Sequence, residues 1–279
     1  GKVLTKINLN DRDSNKETYH IEIEAEGLEY QCGDSIGIVP ENDSQVVTDI
    51  IALTNIDGNK SLEFKKEKFT ICELLKRKIN IFHLTERLIQ QYATTTGHEI
   101  PHGRADLLDI LKTYPVKNGA QFEEILVGLN GISPRLYTIA SSPAAHEGEV
   151  HIVVVKDTFI ANDKKRFGIC SDFLSKLKLN STQQFFVQPN KRFRPPAENK
   201  DIIMVGPGTG IAAFRSFLAE RDATGASGRN WLFFGEQHFA SDFLYQTEIQ
   251  NWHETGVLTN INLAFSRDQK EKIYVQHKM

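Results

Sequence analysis

The sequence predicts an antiparallel β domain with a helical insertion, followed by an α/β domain built on a parallel sheet. Three observations carry this. Residues 18–25 alternate apolar and polar with period 2, as a half-buried strand does. From about Asp43 to about Leu129 the apolar period becomes helical. After the Pro-rich stretch 190–197, short apolar runs alternate with helix-length segments, and such alternation predicts a parallel sheet with helices on its faces.

The elements follow in order. Strand 18–25 precedes a turn and a short apolar strand within 32–40. Val46, Val47, Ile50 and Ile51, then Leu84, Leu88, Ile89 and Tyr92, recur at helical spacing, and 105–112 is a further helical stretch. Strand character returns at 135–140 and 149–156. A helix over 172–179 takes Ser171 or Asp172 as its N-cap. Beyond the boundary come strand 201–205, helix 211–221, strand 230–234, helix 242–252 and strand 261–265. The expected domains are 1–41 with 126–197, the insertion 42–125, and 198–279. Gly1 without a Met, and Met279 just after a strand-to-helix transition at Ile273 to Gln276, read as cut ends of a longer protein.

Composition excludes several classes. The chain has 279 residues, 40% of them hydrophobic, and a net charge of -3. That charge gives no bulk attraction to nucleic acid or an anionic membrane. No apolar run approaches the roughly 20 residues of a bilayer span, and the N-terminus lacks the layout of a secretory signal. Cys32, Cys72 and Cys170 are sparse, odd in number and without metal-ligand spacing. They suit reduced thiols in a cytoplasmic protein, and no metal is expected.

Three segments carry candidate chemistry. Gly206, Pro207, Gly208, Thr209 and Gly210 follow an apolar strand and open a helix. Glycines there let a ligand approach the backbone, and the free N–H groups of a helix start favour phosphate; a structural turn is the alternative. Glu236, ending the next strand, could imitate the ribose-binding acid of NAD enzymes. The third strand argues for NADP instead. It ends in Ser266 and Arg267, with Lys272, Tyr274 and Gln276 close behind. A hydroxyl, a guanidinium and an ammonium at a strand end suit a phosphate monoester. Asp268, Lys270 and Glu271 keep a solvated charged loop open as the alternative. In the second segment, 134–143, Arg135 and Tyr137 share one strand face. Arg can clamp a pyrophosphate while Tyr stacks on a planar cofactor; plain packing is the alternative. The third, Gly168 to Ser171, is a generic helix start that could also hold phosphates.

These segments, in this order, resemble the ferredoxin–NADP reductase superfamily, and more narrowly its diflavin branch, over nearly the whole chain. The resemblance implies an antiparallel FAD-binding β barrel with a helical connecting insertion and an α/β NADP-binding domain. The last strand of that domain and the aromatic that shields the flavin are missing from this sequence. The branch's Arg-x-Tyr-Ser signature appears as Arg135, Leu136, Tyr137 and Thr138, with Thr keeping the hydroxyl that would reach flavin N5. Its phosphate segment appears as Gly168, Ile169, Cys170 and Ser171. The stretch that contacts flavin and adenine appears as Val153, Val154 and Val155 leading to Phe159. Residues 231–246 and 266–276 are close to the sulfite reductase type, which implies that Ile273 and Val275 lie among the NADP contacts. Glu236 and Gln237 stand where microsomal cytochrome reductases carry a Cys after the Phe-Phe-Gly.

What this implies is hydride transfer from NADPH to FAD and onward passage to FMN. The FMN sits on a flavodoxin-like domain in the same or a separate chain. A haem-protein acceptor such as the sulfite reductase haemoprotein follows. A diflavin reductase with another acceptor, or an FAD-binding remnant without turnover, are the alternatives.

Overall fold

A computed structural model describes residues 1–161 and 164–279. In chain order the elements are β1 (Val3–Asn8), β2 (Thr18–Glu24), β3 (Ser35–Ile38), α1 (Ser44–Thr54), β4 (Ser61–Phe64), β5 (Glu67–Thr70), α2 (Ile71–Glu73), α3 (Glu86–Thr96), α4 (Leu107–Thr113) and α5 (Gly119–Gly128). Then come β6 (Arg135–Thr138), β7 (Glu149–Val155), β8 (Thr158–Ala161), β9 (Lys164–Phe167), α6 (Ile169–Ser175), β10 (Phe186–Gln188), β11 (Ile202–Val205), α7 (Ile211–Ala223), β12 (Asn230–Glu236), α8 (Phe239–Asp242), α9 (Gln246–Glu254) and β13 (Asn260–Phe265). The chain divides into two compact units: Gly1–Ile38 with Leu136–Met279, and Val39–Arg135. The second begins three residues before the expected insertion 42–125 and ends ten beyond it. The first joins the β and α/β regions in one unit. No helix among the described residues is long and apolar enough to cross a membrane.

In the first unit the strands form sheets ordered β1-β2-β7, β10-β3-β6 and β11-β12-β13. The β2–β7 pair is antiparallel, with Glu22 opposite His151. Its alternation serves two cores. Ile21, Ile23, Val150, Ile152 and Val154 pack into the β core with Ile36 and Ile38. From the other face, Val153 joins the α/β core with Met204, Phe217, Leu232 and Phe234. β7 is thus a wall shared by two cores, because successive side chains of a strand point to opposite faces. The β10-β3-β6 and β1-β2-β7 sheets touch at the isolated bridges Lys2↔Thr182 and Ile139↔Ile152. The expected barrel is therefore resolved as two three-stranded sheets, and no closed ladder runs round them among the described residues. The parallel sheet is as expected: β11 pairs with β12 and β12 with β13, both parallel.

Two expectations in this unit are corrected. The helix expected at 172–179 begins earlier, at Ile169, with Gly168 as its N-cap. Ser171 therefore lies inside the first turn, and its hydroxyl donates back to Gly168 O at 3.0 Å. Lys6 donates to Ser175 O and Leu177 O at the far end, a cation on the carbonyl end of the helix. The helix expected at 242–252 is split into α8 and α9, because Tyr245 adopts a left-handed φ of 57° between them.

The second unit has its own core, centred on Leu74, Leu75, Tyr92, Phe122 and Leu126. It is not purely helical, because β4 and β5 form an antiparallel hairpin. The hairpin turns through Lys65 and Lys66 at φ 54° and 71°. Such turns usually announce themselves by Asn or Gly, so nothing in the residue types signalled it. After it, Thr70 and Glu73 form a reciprocal capping box that starts α2.

Candidate coenzyme site

A cavity of about 550 Å³ opens at the C-terminal ends of β12 and β13, where open parallel sheets bind ligands. Gly208, Ser266, Arg267, Lys272, Tyr274 and Gln276 line it, so the structure brings the glycine loop and the third-strand residues together. Val275 lines it too, whereas Thr209 and Ile273 do not. Backbone bonds fix this rim: Ser266 N donates to Glu236 O and Arg267 N to Gln237 O, both at 2.9 Å. Asp268 accepts from Phe239 N at 2.8 Å and pairs with His238 at 2.8 Å. The Phe239 N–H, then the His238 contact, hold its carboxyl below the usual range. A Cβ on Gly235 would stand 2.8 Å from Val275 Cγ1, so glycine there lets 274–276 close over β12.

Charge is distributed unevenly round the cavity. Neither Arg267 nor Lys272 makes an ion pair or side-chain hydrogen bond among the described residues, and both are exposed. Two unpaired cations beside a serine hydroxyl suit a phosphate monoester. Neither Asp268 nor Glu271 lines the cavity, and Asp268 is engaged by His238 and Phe239. At the glycine-loop end, Glu236 has a side chain only 5% exposed, and Lys16 donates to both its carboxylate oxygens at 2.7 Å. Lys16 comes from the loop before β2, 220 residues away in sequence. No local pattern could have paired it with Glu236.

The other two candidate segments also converge. β6 presents an exposed Arg135 and Leu136 and a half-buried Tyr137 and Thr138. Tyr137 packs against the β core, so part of its ring is already committed. One residue past this strand, Ile139 bridges to Ile152 on β7. Val153 and Val154 are buried in the two cores and offer no side-chain surface, while Val155 is exposed. Beyond β7, Gly168 N donates to Asp157 O at 3.0 Å and Asp157 N to Ser171 Oγ at 3.1 Å. These bonds tie the end of β7 to the start of α6. A Cβ on Gly168 would meet Ser171 Oγ at 2.9 Å, so that turn needs glycine. Cys170 is buried in the β core, which makes it a packing residue. Phe159 is half-buried on the β8–β9 hairpin, opposite Arg166.

Sequence reasoning missed a polar joint beneath β7. Arg215 on α7 is 5% exposed and fully engaged. It pairs with both oxygens of Glu248 at 2.7 and 2.9 Å and donates to Ala140 O at 2.9 Å and to His151 Nδ1 at 3.2 Å. Because Arg only donates, His151 Nδ1 must accept, and its Nε2–H donates to Glu149 at 2.7 Å. His20 contacts Tyr245 through Nδ1 and Glu22 through Nε2. Burial, then the Arg215 charge, pushes His151 down to about 2 and lowers His20 and His146 as well. His20, Glu22 and His151 have metal-ligand spacing. Both His151 ring nitrogens are already engaged, Nδ1 by Arg215 and Nε2 by Glu149.

Residues 1–95 match the FAD binding domain family and 204–279 the oxidoreductase NAD-binding domain family. The chain is 42% identical over 301 residues to the sulfite reductase [NADPH] flavoprotein alpha-component of Bacillus subtilis, covering 100% of this chain and 49% of that one. The proteins of that name from Vibrio parahaemolyticus and Citrobacter koseri are 39% and 40% identical over 99% and 96% of this chain, and 47% of each relative. The chain thus spans about half the length of these curated relatives. By its two binding domains and this likeness along its whole length, the chain belongs to the diflavin-reductase branch of the ferredoxin–NADP reductase superfamily.

Proposed function

We propose that this chain is the FAD- and NADPH-binding part of a reductase that delivers electrons to a sulfite-reducing haem protein. The observation that carries the coenzyme half is the pair of unpartnered cations, Arg267 and Lys272, in one cavity with Ser266 and the glycine loop. Buried or paired charges stabilise folds. Cations left free beside a hydroxyl and a helix start are a site for a phosphorylated ligand. Residues 198–279 take NADPH in this reading, 1–41 with 126–197 take FAD, and 42–125 are the connecting insertion within the FAD-binding part of the sequence.

The chemistry the flavin supplies when bound is uptake of a hydride from NADPH and release of the electrons one at a time. The protein's own task is placement. Arg135 clamps the FAD pyrophosphate, Tyr137 lies against the isoalloxazine, and Thr138 offers a hydroxyl to N5. Gly168 and the N–H groups at the start of α6 would approach the FAD phosphates, with Ser171 holding the turn. Ser266, Arg267 and Lys272 take the 2′-phosphate, and Tyr274 and Gln276 flank the adenosine. The partners this reading implies are an FMN-binding flavodoxin-like domain and a haem-protein acceptor, in the cytoplasm. The acceptor half rests on the names of the relatives.

The test is anaerobic mixing of the FAD-loaded protein with each coenzyme, following the flavin absorbance band. NADPH should bleach it far faster than NADH at equal concentration. A protein that takes up no FAD, or bleaches equally with both, contradicts the reading.

A further inference from the structure

We infer that Lys16 sets coenzyme affinity by neutralising Glu236, a carboxylate that the α/β region places beside its own glycine loop. The inference rests on the coenzyme reading above and deepens it. Glu236 ends β12 with its side chain 5% exposed. A Cβ at Gly208 would stand 3.4 Å from Glu236 Oε1, so the carboxylate directly abuts the loop. That loop opens α7, whose N–H groups would receive the pyrophosphate. A bare carboxylate there repels a ligand that brings two negative charges.

Within the α/β region nothing cancels that charge. The Gln237 backbone N–H donates to Glu236 Oε2 at 2.8 Å but carries no charge. The one cation on Glu236 among the described residues is Lys16, bonded to both oxygens and lining the same cavity as Gly208 and Arg267. Its loop is fastened to the α/β region independently. Asp11 N donates to Ser241 O at 2.9 Å, and Asn10 Nδ2 and Ser14 Oγ donate to Asp242 Oδ1 at 2.9 and 2.5 Å. Lys16 is therefore held at Glu236 by contacts that do not depend on the ion pair. It acts through Glu236 as a positioning residue, and the cavity becomes tolerant of an anion only when both regions are folded together.

The experiment uses parent, Lys16→Met, Glu236→Gln and the double variant, each FAD-loaded, titrated with NADPH and with adenosine 2′-monophosphate. Lys16→Met should weaken NADPH by about tenfold or more, the scale of one charge-assisted contact. It should leave the 2′-monophosphate nearly unchanged, since that fragment carries no pyrophosphate. Adding Glu236→Gln should restore NADPH binding to near the parent, because no charge then remains to neutralise. Glu236→Gln alone should tighten NADPH, which keeps the test decisive if Lys16→Met does not fold.

A double variant as weak as Lys16→Met overturns the inference, since Lys16 would then be touching the coenzyme itself. Unchanged NADPH affinity in Lys16→Met, or weaker binding in Glu236→Gln, overturns it equally. Failure of the parent to bind the 2′-monophosphate marks a different fault: the coenzyme reading itself falls, and this inference with it.

Discussion

Arg215 and Arg267 are both arginines of the same compact unit, and they have opposite lives. Arg215 is buried and spends its donors on Glu248, Ala140 and His151. Its guanidinium also lies 4.9 Å from the Tyr245 ring centroid. Arg267 is exposed, and among the described residues its guanidinium meets no partner. The difference teaches where to look for function: a charge satisfied by its own chain holds structure, whereas one left unsatisfied beside a cavity is available to a ligand.

The largest effect is expected at Arg215. Arg215→Ala leaves two buried acceptors, His151 Nδ1 and the Ala140 carbonyl, without their donor and takes the partner from Glu248, whose side chain is 40% exposed. The expected cost is about 2–4 kcal/mol in denaturant unfolding. A loss under about 1 kcal/mol would show that the joint beneath β7 does not hold the unit together.

Acid comes next. His151, His20 and His146 bind protons less readily folded than unfolded. The unfolded chain therefore takes up more protons once pH falls below the ordinary histidine value of about 6.5. Stability should be complete above that pH and fall as pH drops from 6.5 towards 2, by about 1–3 kcal/mol between pH 7 and 5. His151→Gln, which can still accept from Arg215, should flatten that slope. An unchanged slope would place the acid sensitivity elsewhere.

Ser171 is expected to matter less. Its hydroxyl makes two neutral bonds, to Gly168 O and from Asp157 N. Ser171→Ala should cost about 1 kcal/mol and loosen FAD retention. Full FAD content in that variant would mean that the turn does not shape the flavin site.

Much of this was legible in the sequence, for reasons that particular residues make plain. The period-2 alternation of 18–25 and the apolar runs 201–205 and 230–234 are local, and β2, β11 and β12 follow them to within two residues at each end. The grouping of Ser266, Arg267 and Lys272 on one cavity was legible because all three lie in the single stretch 266–272. What stayed hidden was non-local or conformational. Lys16 meets Glu236, and Arg215 meets His151, only through tertiary packing. The split between α8 and α9 depends on a left-handed Tyr245, a backbone state that a tyrosine seldom adopts and does not advertise. Val153 and Val154 illustrate a further limit. A strand that matches a cofactor-contacting stretch can bury those very side chains in its own cores.

The smallest effect on stability, and the most direct test of the central claim, belongs to the double change Arg267→Ala with Lys272→Ala. Exposed and unpartnered, the two should be replaceable within about 0.5 kcal/mol of parent stability. Titrated with both coenzymes, the double variant should bind NADPH at least about 100-fold more weakly, since two charge-assisted contacts of about 1.5–3 kcal/mol each are lost. NADH, whose 2′-hydroxyl carries no charge, should bind as it does to the parent. Raised salt should weaken NADPH binding to the parent more than to the variant. Equal losses for NADPH and NADH, or no loss for either, would contradict the assignment of these two cations to the 2′-phosphate.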